Sequence, residues 1–389
     1  MKVLNKGKLK ILSWCNLPDE ECLKQASNLA NHPLAFKHIC LMPDTHVGYG
    51  MPIGGVAALQ GAISPNMVGV DIGCGMCAVK TSVEASSLTT QELKKILAHL
   101  RAAIPVGFKH HSKHTIPKVD ELPSFDPHAH PIIRREERSI LEQLGTLGGG
   151  NHFIELQKDT AGLLWFMLHS GSRNLGLQVA NHYNQLAIQI NEHNIPKEWQ
   201  LATLASNKEA GILYQQEMDY CLKFAKKNRQ VMASKVREAL NEVLGSKSIQ
   251  FLEEVNIHHN YAAKEEHFGE KVFIHRKGAT SARMSETGII PGSQGTSSYI
   301  VKGKGNPLSF MSCSHGAGRV MGREEAKRRL NLEVEQQRLE QQGIIHAVRS
   351  RSSLEEAPSA YKDIDEVMSL QSDLVDIVYK LQPLAVIKG

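Results

Sequence analysis

A histidine at the start of a glycine-rich turn is the first residue in this sequence that could do chemistry. His315 follows an apolar stretch and opens the turn His-Gly-Ala-Gly-Arg. Because the residues from Val320 onward are rich in Arg, Glu, Lys and Leu, we expect the turn to join a strand to a helix. Helix N-termini attract anions, and Gly316 and Gly318 would let a phosphate approach the main chain. The pattern predicts a histidine nucleophile on a phosphate-binding loop, with Arg319 as a second phosphate-binding group.

Taken alone, this motif would be explained more simply by a loop histidine that caps a helix. The other candidate residues change that balance, because their side chains suit metal ions. They are Asp71, Cys74, His152, His169 and His259. Each lies in a short polar break within apolar sequence, where rigid strands could hold a ligand. A thiolate can bridge two cations while Asp and His complete each shell, so the set could hold two metals with open positions for phosphate oxygen.

The residue types alone do not determine which metal binds, or whether a metal binds at all. Cys and His ligands favour zinc or cobalt over magnesium, with manganese as the third choice, so the metal stays open. A single loop histidine usually forms only hydrogen bonds. Cys77 also makes a CxxC pair with Cys74 that could indicate redox chemistry or zinc, although a single CxxC without a second pair is weak support.

The composition is that of an ordinary folded protein, with 41% hydrophobic and 22% charged residues among 389. No apolar run is long enough to span a membrane, and the N-terminal stretch lacks the features of a signal peptide, so we expect a cytoplasmic protein. The seven scattered cysteines are expected to be reduced. A net charge of +5 permits a polyanionic partner, whereas 5% aromatic residues argue against a broad base-stacking surface.

Strands and helices must position these residues, and the local patterns predict most of them. In the first part of the chain we expect a strand at 9–14, a helix at 19–30, short strands at 39–79 with Asp44 and His46 at strand ends, and a helix at 90–102. A long basic loop at 103–137 that faces RNA or substrate follows, and then two strands before 176. In the second part we expect helical scaffold at 177–245, one charged helix from the His315 turn to 342, and a helical tail from 359. Polar loops from both ends of the chain look like parts of one site, which predicts a single domain over 1–389.

Ten motifs then occur in one order along the whole chain. They are MPDTH, DIGCG, GGGNHFIE, LHSGSR, HHNY, RKGA, PGSQGTSSYIV, SHGAGR, AYKDID and the final KG. Together they resemble the RtcB family of RNA ligases. The resemblance implies an α+β fold in which mixed or antiparallel sheets are flanked by helices and the active site lies in a central cleft. It also implies joining of an RNA 3′-phosphate or 2′,3′-cyclic phosphate to a 5′-hydroxyl, dependent on GTP and two Mn²⁺ ions.

Residue by residue, the resemblance assigns a role to each matching position. The metal ligands fall on the five residues chosen above, and the histidine that becomes guanylylated falls on His315. Guanylate contacts match Asn151, Phe153, Glu155, Ser293, Ser298, Ala317 and Lys388. Groups near the RNA termini match Arg173, Asp44 and Arg319.

The implied mechanism divides a difficult condensation into easier steps. His315 attacks the α-phosphate of GTP, GMP then moves to the RNA 3′-phosphate, and the 5′-hydroxyl displaces GMP. A metal-dependent phosphoesterase that acts on RNA ends without a nucleotide is the alternative enzyme, and a non-catalytic RNA-binding protein is a third possibility. We expect a monomer. Residues 148–150 are Gly-Gly-Gly where the family often has Gly-Thr-Gly, which leaves open the physiological RNA. The sequence also leaves open any partner such as an archease or a release-factor-like protein.

Overall fold

Two large β-sheets form the framework of the computed structural model, which describes residues 1–119, 122–245 and 249–389. The strands are β1 (Lys2–Leu4), β2 (Lys10–Ser13), β3 (Ala35–Tyr49), β4 (Met51–Leu59), β5 (Ala62–Ile63), β6 (Gly75–Glu84), β7 (Phe153–Asp159), β8 (Leu163–Ser170), β9 (Leu204–Ala205), β10 (Phe251–His258), β11 (Asn260–His267), β12 (Glu270–Lys277), β13 (Ala279–Ser281), β14 (Thr287–Ile290), β15 (Ser298–Gly303), β16 (Ser312–Ser314) and β17 (Val375–Lys388). The α-helices are α1 (Glu20–Asn31), α2 (Pro65–Val68), α3 (Thr90–Ala103), α4 (Pro131–Gln143), α5 (Arg173–Ile190), α6 (Glu209–Leu244), α7 (Arg323–Arg329), α8 (Leu332–Gln341) and α9 (Ile364–Ser369).

The first sheet has the strand order β1-β2-β3-β4-β12-β11, and the second has the order β10-β6-β8-β7-β17-β15-β14. Neighbouring strands run antiparallel in both sheets, except that β2 runs parallel to β3. Two short pairs, β13 with β16 and β5 with β9, lie outside the large sheets. The α+β fold predicted above, with sheets flanked by helices, is therefore confirmed.

Alternation along β7 determines what faces the core and what faces the cleft. Ile154 and Leu156 pack into a core cluster with buried side chains of α3 and α6. Because successive side chains of a strand point to opposite faces, Phe153 and Glu155 face the other side of the sheet. Phe153 packs there against β6, β8 and β15. The second sheet thus has one apolar face covered by helices and one face that carries polar side chains for the site.

Three predictions of local structure were wrong, because helix-start residues or strand pairing determined the structure instead of the local sequence pattern. The segment predicted as an irregular loop contains α4, which begins at Pro131, a residue suited to the first turn of a helix. The charged helix after the His315 turn is two helices, since the side chain of Asn331 accepts a hydrogen bond from the Val334 N–H and starts α8 afresh. Asp44 and His46 lie inside the long strand β3, at positions where its register with β4 shifts.

The C-terminal tail also departs from its predicted helix. Its only α-helix among the described residues is α9, and residues Val375–Lys388 form the strand β17, which pairs with β7 on one side and β15 on the other. Its Val, Ile and Tyr residues suit a strand, and tertiary pairing overrides any helical periodicity. In the described parts of the chain, none of the helices combines the length and the apolar character that crossing a membrane requires.

The central position of β17 predicts a large cost for weakening its packing. Leu381 is fully buried, whereas Ile377 on the same strand is 54% exposed. Leu381→Ala should lower the free energy of unfolding by about 2–5 kcal/mol through lost burial and the cavity left behind. Ile377→Ala, the matched control, should change it by about 0.5 kcal/mol or less. Urea unfolding of both variants measures this, and equal effects would contradict a central β17.

Candidate metal centre and nucleophile

The five predicted metal ligands contact one another at one end of the second sheet. The Cys74 Sγ lies 3.0 Å from the His169 Nε2 and 3.5 Å from the His152 Nε2. The His152 Nε2 lies 3.1 Å from the Asp71 Oδ2, and the His169 Nε2 lies 3.2 Å from the His259 Nε2. All but Asp71 are buried. The structure therefore brings together the complete set predicted from the sequence.

Strand pairing explains this convergence of residues that are distant in sequence. Phe153 pairs with His169 between β7 and β8, which places His152 beside the end of β8. His258 pairs with Gly75 between β10 and β6, and the His259 N–H donates to the Cys74 carbonyl at 2.8 Å. Cys74, His152, His169 and His259 thus lie at or next to strand ends, where the backbone is fixed but the side chain is free of the sheet.

The hydrogen bonds of the rings leave the Nε2 atoms available as ligands. The Nδ1 of His152 lies 2.9 Å from the Leu147 carbonyl oxygen, and that of His169 lies 3.2 Å from the Asn151 carbonyl oxygen. A carbonyl only accepts, so each Nδ1 carries the proton and each Nε2 presents a lone pair. Burial lowers the pKa of His169 well below its ordinary value, which keeps the ring neutral. Neutral imidazole is the form that binds metals.

The chemistry of this donor set fits divalent cations. Burial, with the nearby Asp71, raises the pKa of Cys74 well above its ordinary value. A thiolate at this position therefore needs a cation beside it, and metal binding supplies one. The buried His259 Nδ1 also has no hydrogen-bond partner among the described residues. One thiol, one carboxylate and several imidazole lone pairs in contact make a metal centre the arrangement that these groups favour.

His315 stands next to this cluster and is oriented by Asp44. The rings of His315 and His259 lie edge to face with centroids 4.9 Å apart. The His315 Nδ1 lies 2.7 Å from the Asp44 Oδ2, so its N–H donates a hydrogen bond to this carboxylate. This leaves the Nε2 with a free lone pair. Burial alone would raise the pKa of Asp44, but His315 and nearby cationic groups outweigh it and lower that pKa, so the carboxylate stays ionised.

The structure corrects two predictions about the turn, namely its free N–H groups and the helix that directly follows it. The main-chain N–H groups of His315 and Gly316 donate to the Asp44 Oδ2 at 3.1 and 3.3 Å, so they are occupied by a protein carboxylate and not free for phosphate. The helix α7 begins only at Arg323, too far along the chain to place its N-terminus at His315. Asp44, which was expected near the RNA termini, lies fully buried behind His315. Its position favours an orienting role.

A cleft of about 760 Å³ opens from His315 and holds the residues predicted to contact the guanylate. Its lining includes all seven of them, namely Asn151, Phe153, Glu155, Ser293, Ser298, Ala317 and Lys388. His169 and His259 line the same cleft, so the metal cluster opens into it. The central cleft expected for the fold is present, and it is large enough for a nucleotide.

Glu155 is a buried carboxyl on the cleft side of β7. Burial raises its pKa to about 8, although a hydrogen bond from the Gln157 side-chain amide and the charge of Lys388 act against this. Gln157 is itself held by a 3.0 Å hydrogen bond to the Ser298 hydroxyl. Glu155 therefore lacks strong cationic partners of its own, and a ligand that offers N–H groups would stabilise its ionised form.

Glu356, which no sequence pattern indicated, is a buried carboxylate that contacts several residues of the cleft. Its oxygens accept from the Lys388 Nζ at 2.9 Å, from the Arg319 Nη1 at 3.1 Å and from the Tyr361 hydroxyl. Arg319 also donates to the carbonyls of Met321 and Glu355, so most of its N–H groups are used within the protein. The predicted contact of Arg319 with phosphate or RNA is therefore not favoured. Its guanidinium supports the cleft wall.

Arg173, the remaining residue predicted near the RNA termini, lies on the other side of the His152 loop. Its Nε donates to the Thr146 hydroxyl at 3.0 Å and its Nη2 donates to the Gly107 carbonyl at 3.1 Å. The Nη1 lies so close to Gly148 that an added Cβ there would be 2.3 Å from it. Arg173 therefore sits between the metal ligands and the loop at 104–119.

Helix α6, which was predicted to be plain scaffold, supports the metal centre from behind. Arg229 is fully buried and donates from Nη1 to the carbonyls of Gly73 and Ser170 at 3.0 and 2.9 Å. The preceding Asn228 donates to the carbonyls of Thr146 and Gly171. These contacts fix the loops that carry Asp71, Cys74 and His169. The available signal was two polar residues on the apolar stripe of a long helix, where a buried polar group needs partners.

Comparison with known proteins places this chain among the RNA ligases. A family model described as tRNA-splicing ligase RtcB matches residues 25–127 and 120–389. The RNA-splicing ligase RtcB of Escherichia coli K12 is 38% identical over 395 residues, covering 95% of each chain. The tRNA-splicing ligase RtcB of Archaeoglobus fulgidus is 33% identical over 95% of this chain and 92% of its own, and that of Thermococcus kodakarensis is 31% identical over 96% and 92%. The chain belongs to the RtcB family.

Neighbouring cysteines offer a matched test of the metal centre. Cys74→Ala removes the proposed bridging ligand and should lower the amount of Mn²⁺ retained after dialysis. Cys77→Ala should retain it, because that thiol packs in the apolar cluster on the opposite face of the sheet. Metal analysis of both proteins measures the ratio of manganese to protein. Loss of metal from Cys77→Ala alone would show that the ligands are assigned wrongly.

Proposed function

We propose that this protein is a GTP- and manganese-dependent ligase that joins RNA 3′-phosphate or 2′,3′-cyclic phosphate ends to 5′-hydroxyl ends. The observation that carries the proposal is the position of His315, whose Nδ1 is held by Asp44 at 2.7 Å while its ring adjoins the ligand cluster. The names of the relatives in Escherichia coli and Archaeoglobus fulgidus support RNA as the substrate.

Asp44 prepares His315 for attack on the α-phosphate of GTP. It keeps the proton on Nδ1, so the Nε2 lone pair forms the new N–P bond, and the electrons of the broken P–O bond leave with pyrophosphate. The carboxylate also stabilises the ring while it carries positive charge. Breaking this contact would leave a buried charged group unpaired, at a cost of about 1–3 kcal/mol or more.

The covalent GMP then moves from His315 to the RNA 3′-phosphate, and the 5′-hydroxyl of the second strand attacks the activated phosphate and releases GMP. A cyclic phosphate is first hydrolysed to the 3′-phosphate. Asp71, Cys74, His152, His169 and His259 would hold two Mn²⁺ ions. When bound, these ions neutralise charge on the phosphoryl oxygens. His315 and the ligand cluster border one cleft, so each strand end can be brought to the same place.

Glu155 and Lys388 would distinguish guanine from adenine. An ionised Glu155 can accept from the guanine N1–H and from its 2-amino group, whereas adenine offers neither donor on that edge. Lys388 lies 5.3 Å over the Phe153 ring and is anchored by Glu356, which fixes its ammonium at the cleft wall. A buried acceptor left without its donors costs about 1–3 kcal/mol or more, which corresponds to roughly tenfold to a few hundredfold discrimination.

Labelled nucleotides test this proposal at its most specific point. With GTP and Mn²⁺ the protein should form an acid-labile, base-stable adduct that peptide mapping assigns to His315. Labelling from ATP should be lower by roughly tenfold to a few hundredfold, because the Glu155 carboxylate would stay unsatisfied. His315→Ala is the control and should give no adduct. A label on lysine, or equal labelling from ATP, would reject the assignment.

The chemistry of the RNA ends provides a second test. Ligation should need a 3′-phosphate or cyclic phosphate on one strand and a 5′-hydroxyl on the other, because the 3′-phosphate is the group that becomes activated. Gel analysis of four strand pairs with matched ends measures this requirement. Efficient sealing of 3′-hydroxyl to 5′-phosphate ends would contradict the proposed reaction.

A phosphoesterase that acts on RNA ends without a nucleotide is the alternative use of the same metal centre. Hydrolysis requires no base pocket and no oriented histidine, so the guanylate-lining residues and the Asp44 contact favour ligation. Both tRNA splicing and repair of cleaved RNA fit this chemistry. A cytoplasmic location, a monomeric state and an archease or release-factor-like partner stay predictions from the sequence.

A further inference from the structure

We propose that Phe108, at the exposed tip of the basic loop formed by residues 104–119, stacks on an unpaired base of the RNA strand whose end lies at the metal ligands. This inference rests on the proposed function, because it requires an RNA substrate. It adds a binding site for the body of the strand, on the opposite side of the His152 loop from the guanylate cleft.

Phe108 is fully exposed to solvent, with a relative accessibility of 101%. Single exposed apolar side chains are common on protein surfaces, so exposure alone indicates nothing. The position of the side chain and the charges around it are what distinguish Phe108. Lys109 and His110 follow it directly and are also exposed.

The basic loop is fastened to the segment that carries a metal ligand. The Gly107 N–H donates to the Gly148 carbonyl at 2.8 Å, and Val106 forms a parallel bridge to Gly148. The Arg173 Nη2 donates to the Gly107 carbonyl at 3.1 Å. Gly148 in turn lies against His152, because an added Cβ there would be 2.5 Å from the His152 Nδ1. The residue that precedes Phe108 is thus held next to the metal centre.

The open surface and the cationic groups around the glycines at 148–150 suit an RNA phosphate backbone. An added Cβ on Gly149 would meet only the Gly107 Cα, at 3.7 Å, so the surface there is open. The guanidinium of Arg323, which lines the cleft, lies against Gly150. The basic loop contains three lysines and no acidic residue. Cationic groups therefore stand on both sides of the glycines at 148–150, as expected where a polyanion passes.

A base stacked on one aromatic ring fits what the composition allows. The low aromatic content argues against a broad stacking platform, but one ring is enough to hold one base. Base stacking tolerates any sequence because every base has a flat face, while the lysines contact the phosphates. Phe108 would thus bind unpaired RNA of any sequence near its reacting end. It would not favour the binding of paired RNA or of proteins.

Equilibrium binding tests the inference without requiring ligation. The probe is a short fluorescent single-stranded RNA with a 3′-phosphate, measured by anisotropy with Mn²⁺, and then the corresponding 5′-hydroxyl strand. Phe108→Ala should weaken binding of one strand or both roughly five- to 150-fold, the range for loss of one base–aromatic stack. Phe108→Trp should bind like the wild type. Met284→Ala, which changes an apolar side chain that is 72% exposed, is the matched control and should have no effect.

Abasic substitution makes the test independent of folding. When each nucleotide of the probe is replaced in turn by an abasic unit, one position should weaken binding to the wild type but not to Phe108→Ala. Equal effects of the abasic units in both proteins would reject stacking on Phe108 but not the proposed function. Unchanged RNA binding by Phe108→Ala at an unchanged melting temperature would have the same consequence. Absence of any RNA binding by the wild type would overturn it together with the RNA substrate. Failure of GTP labelling with RNA binding intact would reject the proposed ligation and leave the stack supported.

Discussion

The buried contact between Asp44 and His315 is the interaction on which the site depends. Asp44 belongs to β3 of the first sheet, and His315 follows β16, so the nucleophile is positioned from that side of the molecule. The proposed metal ligands Cys74, His152 and His169 are positioned by the second sheet. His259 lies between β10 of the second sheet and β11 of the first. The proposed nucleophile and the proposed metal ligands meet because one short connection joins the two sheets at this place.

Buried polar side chains keep this junction rigid. Arg229 and Asn228 hold the loops behind the metal ligands, and Glu356 joins the wall of the cleft to Lys388. Burial lowers the pKa of Arg229 to about 10, so its guanidinium remains charged at neutral pH. Each of these groups is costly to bury alone and is satisfied only in the folded arrangement. Such networks favour one conformation of the site over alternatives with similar apolar packing.

The clustering of the candidate metal ligands could be predicted from the sequence, because thiol, carboxyl and imidazole groups can bind metals wherever they lie in a fold. Cys74, His152 and His169 stood out as polar breaks in apolar strands, and the structure brings them into contact. Residues that act through others were not predictable in this way. Glu356 is an ordinary glutamate in a charged segment until folding surrounds it with three donors. Asp44 was recognised as a site residue, but whether it faces RNA or His315 depends on a contact across 271 positions of sequence.

Local periodicity likewise predicted elements with regular patterns and clear caps better than elements that depend on distant pairing. The helix at 19–30 was predicted nearly to its ends, because Asp19 caps it and its apolar stripe is regular. The strand β17 was predicted as helix, since its pairing with β7 and β15 is the dominant constraint and is not visible in a local window.

The late position of β17 in the chain affects how the protein is made. This strand fills the gap between β7 and β15, and its partners in β7 lie over 200 residues earlier. Until it has been synthesised, both neighbours present unpaired backbone edges, which are prone to association with other chains. Pairings of such long sequence separation also form slowly. The strand that brings Lys388 to the cleft therefore covers these exposed edges when it docks, and the wall of the cleft is completed in the same folding step.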